Sequence, residues 1–104
     1  MILVTGANSF VGKCLIQELE KNKIKYLGVD LNIKKKKNLK KIDIRDAEIS
    51  KYIKSNTTII HLAAISTDKL CETNPNLAFD VNVNGTMNLI NIENNKKAKK
   101  FIFA

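Results

Sequence analysis

Thr5-Gly6-Ala7-Asn8-Ser9-Phe10-Val11-Gly12 follows the apolar run Ile2-Leu3-Val4 and leads into residues at helical spacing. Strand, glycine turn and helix in that order put the unpaired amides of a helix start, and the positive end of its dipole, where an anion can sit. Gly6 permits the sharp turn out of the strand. Gly12, one turn into the helix, permits close packing on the sheet and close approach of a ligand. Ser9 stands where a third glycine is expected, so its side chain is expected to crowd a pyrophosphate, although its hydroxyl can donate a hydrogen bond in return. The layout points to a dinucleotide site; the competing reading is an ordinary strand-to-helix turn with two incidental glycines. Val11, Cys14, Leu15 and Leu19 define the predicted sheet-facing side of the helix, with Cys14 read as a buried small hydrophobe.

The remaining elements alternate in the same way. Residues 24–30 (IKYLGVD) read as a second strand ending at Asp30, and the lysine run Lys34 to Lys37 reads as a solvated loop. Leu39 to Ile42 suggests a short third strand, and Asp46 can cap a short helix with Ile49, Tyr52 and Ile53 on one face. Residues 57–61 (TTIIH) are β-branched, as in a buried parallel strand. Asn74-Pro75 marks the start of a helix whose stripe is Ala78, Val81, Gly85, Leu89 and Ile92, ending near Asn94-Asn95; Phe101 to Phe103 is a fifth strand. The expected fold is α/β, a doubly wound parallel sheet with right-handed crossovers.

Composition narrows the function classes. A chain of 104 residues can bury a core but is small for an enzyme holding both a dinucleotide and a substrate. No apolar run approaches the roughly 20 residues of a membrane span and no basic leader precedes the first strand, so a cytoplasmic protein without membrane contact is expected. The formal net charge of +8 comes from lysines apart from Arg45. With a single arginine, planar recognition of phosphates or guanines is scarcely available, and nucleic acid is not the expected partner. Cys14, Cys71 and the lone His61 show no zinc spacing or disulfide framework, so no metal is expected.

The polar residues gather at predicted strand ends, where doubly wound sheets bind ligands. Asp30, 24 residues after Gly6, stands near the spacing at which a carboxylate accepts from adenosine ribose hydroxyls. A carboxylate there repels a 2′-phosphate and favours NAD over NADP, while Lys34 to Lys37 leave NADP as the lesser alternative. Asp43 follows the third strand, and its carboxylate can accept from an adenine amino group while the Ile44 amide donates to a ring nitrogen. His61 reads as a satisfied strand-end histidine rather than an acid or base.

In these residues the chain resembles the extended short-chain dehydrogenase/reductase family, specifically NAD-dependent nucleotide-sugar epimerases and dehydratases. The family's TGxxGxxG turn matches TGANSFVG, its second-strand acid matches Asp30, and its acid-hydrophobe adenine contact matches Asp43-Ile44. Its HLAA segment stands as His61-Leu62-Ala63-Ala64, and its Asn-x-x-Gly-Thr helix pattern as Asn82-Val83-Asn84-Gly85-Thr86. The resemblance implies cofactor contacts at Gly6, Asn8, Ser9, Phe10, Val11 and Gly12, at Asp30, Leu31 and Asn32, at Asp43 and Ile44, at Leu62, Ala63 and Ala64, and at Asn82. Asn82 reads equally well as a hydrogen-bonding core or cap residue. The family's catalytic Tyr-x-x-x-Lys is absent: Asp30 lies four residues after Tyr26, and Asn56 four after Tyr52. The resemblance therefore implies a Rossmann-like sheet truncated after the fifth strand, one incomplete NAD(P)-binding domain over 1–104 with no substrate domain: the NAD-binding portion of such an enzyme, inactive as this chain alone. The alternative is a non-catalytic nucleotide-sensing or interaction module. A bare fifth-strand edge is expected to draw a second copy or a partner chain.

Overall fold

The computed structural model describes residues 1–63 and 72–103. The strands are β1 (Ile2–Thr5), β2 (Tyr26–Asp30), β3 (Leu39–Lys41), β4 (Thr58–His61) and β5 (Lys100–Phe103). All named pairings are parallel and the spatial order is β3-β2-β1-β4-β5. β1 is therefore central, and the chain reverses its direction of winding between β1 and β4. At such a switch point the connections leave in opposite directions and open a crevice beyond the strand ends.

Helix α1 (Phe10–Lys21) packs on one face of the sheet, where Ile16 and Leu19 meet Val4, Ala7 and Tyr26. Its buried side is Gly12, Ile16 and Leu19. Val11 and Cys14, expected on that side, are exposed. The correction has a simple cause: helical period fixes the spacing of a stripe but not its phase. Gly12 must face the turn it came from, and Ile16 and Leu19 follow it at i+4 and i+7. The helix closes through an Ile24 amide donating to the Leu19 carbonyl at 2.9 Å, with Lys23 left-handed at φ 56°. This holds Ile24 and Lys25 outside the strand, so β2 begins at Tyr26 instead of residue 24.

The other face carries Leu3, Leu27, Val29 and Ile59 beneath Ile42, Ile44, Ile49, Ile53, Val81 and Leu89. Ile49 comes from a 3-10 turn, Ala47–Tyr52, and Ile53 follows it as the C-cap; Asp46 caps its start, its carboxylate accepting from the Glu48 amide at 3.0 Å. The long helix begins as predicted at Asn74 and Pro75, with the Asn74 side chain accepting from the Leu77 amide. It runs as α2 (Pro75–Phe79), a π-helical segment (Asp80–Gly85) and α3 (Thr86–Lys96). Its stripe of Ala78, Val81, Gly85 and Leu89 is buried as expected, with Ile92 packed at the margin. Gly85 lies against the post-β3 loop, where an added Cβ would come within 2.7 Å of Ile44 side-chain carbons. Ala64 and Cys71 lie outside the described residues.

Candidate functional site

A cleft of about 260 Å³ opens at the carboxyl ends of the strands. Gly6, Asn8 and Ser9 line it from the first turn, Asp30, Leu31 and Asn32 from the end of β2, and Ile42 and Ile44 from the loop after β3. Leu62 and Ala63 close it from the segment after β4, and Val81 from the long helix. Nine of the predicted cofactor contacts thus share one cavity: Gly6, Asn8, Ser9, Asp30, Leu31, Asn32, Ile44, Leu62 and Ala63.

The turn is built from glycine geometry and one hydroxyl. Gly6 adopts φ +72°, and a Cβ on it would sit 2.7 Å from the Ala63 nitrogen, so this loop and the post-β4 segment touch backbone to backbone. Gly12 is tighter still, with its notional Cβ 2.1 Å from the Gly6 carbonyl oxygen. Ser9 caps α1: its Oγ accepts from the Gly12 amide at 3.0 Å and donates to the Gly6 carbonyl at 2.6 Å. The side chain expected to crowd a pyrophosphate is therefore folded back into the turn. Phe10 and Val11, at the first two helical positions, have amides without intrahelical acceptors. Gly12 itself lies behind the turn, as spacer rather than wall.

Asp30 ties the second strand to that turn. Its Oδ2 accepts from the Asn8 amide at 2.9 Å and its Oδ1 from the Asn32 amide at 3.3 Å. Each oxygen keeps lone-pair capacity for a further donor. Asp43 is arranged differently. Its carboxylate takes the Arg45 amide and the guanidinium Nε and Nη2, the last at 2.7 Å, and it does not line the cleft. Hydrogen bonding from Arg45 holds the Asp43 carboxyl below its ordinary value, and the same partnership raises the guanidinium's. Arg45 Nη1 also reaches Asp80 at 2.7 Å, and Asp80 accepts from Asn84 at 2.8 Å. Asn84 first, then Arg45, lowers the Asp80 carboxyl. Asn88 completes this latch by donating to the carbonyls of Ile44 at 2.7 Å and Asp46 at 3.3 Å. The segment Asp43 to Asp46 is thus pinned to the π-helical segment and α3.

His61 is buried at the end of β4, with Nδ1 2.6 Å from Thr5 Oγ1 and Nε2 2.8 Å from Thr86 Oγ1. This is the satisfied strand-end histidine expected. Asn82 is half-buried on the π-helical segment, one position beyond Val81 and outside the cleft lining. Sequence reasoning passed over Thr5 and Thr86 as partners of His61, and Asp80 as a partner of Arg45, because these pairings join segments far apart in the chain.

A second, larger cleft of about 910 Å³ lies between α1 and residues 32–41. Lys13, Lys34, Lys36, Lys37 and Lys41 line it over an apolar base of Ala7, Ile16, Ile33 and Leu39, and it meets the strand-end cleft at Asn8 and Asn32. Tyr26 lies on this side, its hydroxyl donating to Glu20. Burial, then Glu20, pushes its pKa up to about 12.

Residues 2–104 match the NAD dependent epimerase/dehydratase family. The chain belongs to it. This epimerase/dehydratase chain spans the N-terminal portion of its longer relatives. It is 31% identical over 113 residues to a putative UDP-glucose 4-epimerase of Methanocaldococcus jannaschii, covering 100% of this chain and 37% of that protein. It is 34% identical over 114 residues to an uncharacterized membrane protein of the same organism, covering 97% of this chain and 34% of that one. Among solved structures, a short-chain dehydrogenase/reductase superfamily protein from Agrobacterium tumefaciens with bound NAD superposes with a TM-score of 0.86 at 26% identity, over 99% of this chain and 31% of that chain. The epimerase/dehydratase chain therefore spans about a third of the length of each. Among its described residues no helix is long and apolar enough to cross a membrane.

Proposed function

We propose that this chain is the NAD-binding portion of a nucleotide-sugar epimerase or dehydratase, without turnover on its own. The observation that supports it most is the convergence of the Gly6 turn, Asp30 and the Leu62–Ala63 segment on one strand-end cleft at the switch point. The donor set suits a dinucleotide. Phe10 and Val11 offer amides to the diphosphate, Asp30 offers lone pairs to ribose hydroxyls, and Ile42, Ile44 and Val81 supply the apolar wall a base needs. The cofactor supplies hydride exchange when bound; this chain's residues hold and orient it. NAD is favoured over NADP because the Asp30 carboxylate faces the cleft, while the lysines gather mainly in the neighbouring one.

A second reading, a non-catalytic nucleotide-sensing module, is favoured by one observation: neither tyrosine lines the strand-end cleft. Self-association is proposed through β5, an edge strand on which Ile102 and Phe103 are exposed. Calorimetric titration with NAD, NADH and NADPH tests the cofactor: heat with NAD and NADH, and less with NADPH, is expected. Absence of heat and of any thermal shift with all three would remove the reading. A monodisperse monomer in sedimentation at high concentration would remove the association.

A further inference from the structure

The hydrogen-bond chain through His61 fixes where each proton lies. Thr5 Oγ1 accepts from the Leu62 and Ala63 amides, each at 3.1 Å, which uses both of its lone pairs. Its own proton therefore goes to His61 Nδ1 at 2.6 Å, and that nitrogen is the acceptor. The ring proton is left on Nε2, which donates to Thr86 Oγ1 at 2.8 Å. Thr86 passes its hydroxyl proton to the Asn82 carbonyl at 2.7 Å. The chain runs from two amides of the cleft wall, through a neutral imidazole, to the long helix, and every donor in it has an acceptor.

We infer that His61 is a positioning residue for the dinucleotide cleft: its neutral Nε2–H form holds the Leu62–Ala63 wall, and protonating it releases that wall and weakens dinucleotide binding. This rests on the cofactor reading above. A proton on Nδ1 would bring a third donor to Thr5 Oγ1 and strip the Thr5 hydroxyl of its acceptor. Leu62 has a second acceptor, the Thr5 carbonyl at 3.1 Å. Ala63 is the amide that depends on the relay, and Ala63 is the residue against which the Gly6 turn rests. The ring's other neighbours are Phe101 and Phe103, with centroids 6.0 and 5.5 Å away. Among the described residues β1 presents Thr5 to it, the long helix Thr86, and β5 these two rings, none of them charged or titrating near neutrality. Burial lowers the ring's pKa from its ordinary 6.5.

Because His61 is the only histidine, the test is unambiguous. Long-range nitrogen–proton correlation on the full chain should show the Nε2–H tautomer at pH 8, and the Ala63 amide shift should titrate together with the ring. The NADH Kd should be flat at high pH and weaken about tenfold per pH unit below the ring's measured pKa. His61→Asn keeps an acceptor toward Thr5 without a titrating ring, and should lose that slope whatever its affinity at pH 8. An Nδ1–H tautomer, an Ala63 amide that ignores the ring, or an unchanged slope in His61→Asn overturns the inference. Should His61→Asn not fold, Thr5→Val and Thr5→Ser replace it: the first should abolish the linked Ala63 titration and the second restore it, and equal behaviour overturns it. If NADH binds at no pH, the cofactor reading fails, while the tautomer and the Ala63 titration still decide the relay.

Discussion

Replacing Gly12 by alanine should be the most damaging single-methyl change in the molecule. The added Cβ lands 2.1 Å from the Gly6 carbonyl oxygen and 3.0 Å from the Ala7 backbone. Backbone must move, and the carbonyl in the way is fixed by the Ser9 hydroxyl at 2.6 Å and the Ser9 amide at 3.0 Å. Overpacking costs about 1–3 kcal/mol, and losing a helix cap about 1 kcal/mol. Alanine's better helix propensity returns about 1 kcal/mol. The net is a destabilisation of roughly 1–3 kcal/mol, which lowers the Tm of a domain this size by roughly 5–20 °C. Gly85→Ala is the control. Its Cβ meets Ile44 Cδ1 and Cγ1 at 2.7 Å, side-chain atoms that can turn aside, so strain and propensity should cancel to within about 1 kcal/mol. Urea unfolding followed by far-UV circular dichroism, at equal m-values, compares the two directly. Equal midpoints for Gly12→Ala and Gly85→Ala would refute the claim that the backbone contact of Gly12 sets the geometry of the turn.

Other outcomes follow from the same geometry. Ser9→Ala should cost about 1 kcal/mol in urea unfolding through the lost cap, whereas Ser9→Gly should cost only a few tenths and leave NADH affinity within about threefold, because the Ser9 hydroxyl already faces the turn. Arg45→Gln should raise the Asp43 carboxyl toward its ordinary 3.8, read by carbon NMR. The native pair contributes stability above that ordinary value and loses it as pH falls through the depressed one. Tyr26 should ionise at about 12 in a spectrophotometric titration. Since its folded value is the raised one, this contribution is complete below 10 and fades as pH climbs through about 12; Glu20→Gln should bring the titration down.

The parts of the fold that were legible in the sequence are those written in local chemistry. The strand-turn-helix at Thr5 to Gly12, the β-branched run before His61 and the Asn74-Pro75 helix start each carry their signal within a few residues. Cys14 was misplaced because its exposure depends on the helix's phase, which a contact between Gly12 and the Gly6 carbonyl sets. The π-helical segment has no local signature either; it lies where Gly85 admits Ile44 and Asp80 meets Arg45. In the site, Asp30 could be read from spacing to the glycine turn, since both belong to one strand-helix-strand unit. The attachment of Asp43 to Arg45 could not, because the guanidinium is also held by Asp80, 35 residues away.

The central place of β1 bears on how the chain matures during synthesis. Of the five strands it leaves the ribosome before the others, yet one of its two flanks is β4, and the Thr5 hydroxyl meets the Ala63 amide across 58 residues. Until β4 has emerged, β1 can pair with β2 only, and its other edge stays open. A nascent chain stalled in that interval would present a bare apolar strand to chaperones or to its neighbours. The glycine turn, made before β2, thus waits for a segment made after β4 before it can take its final shape.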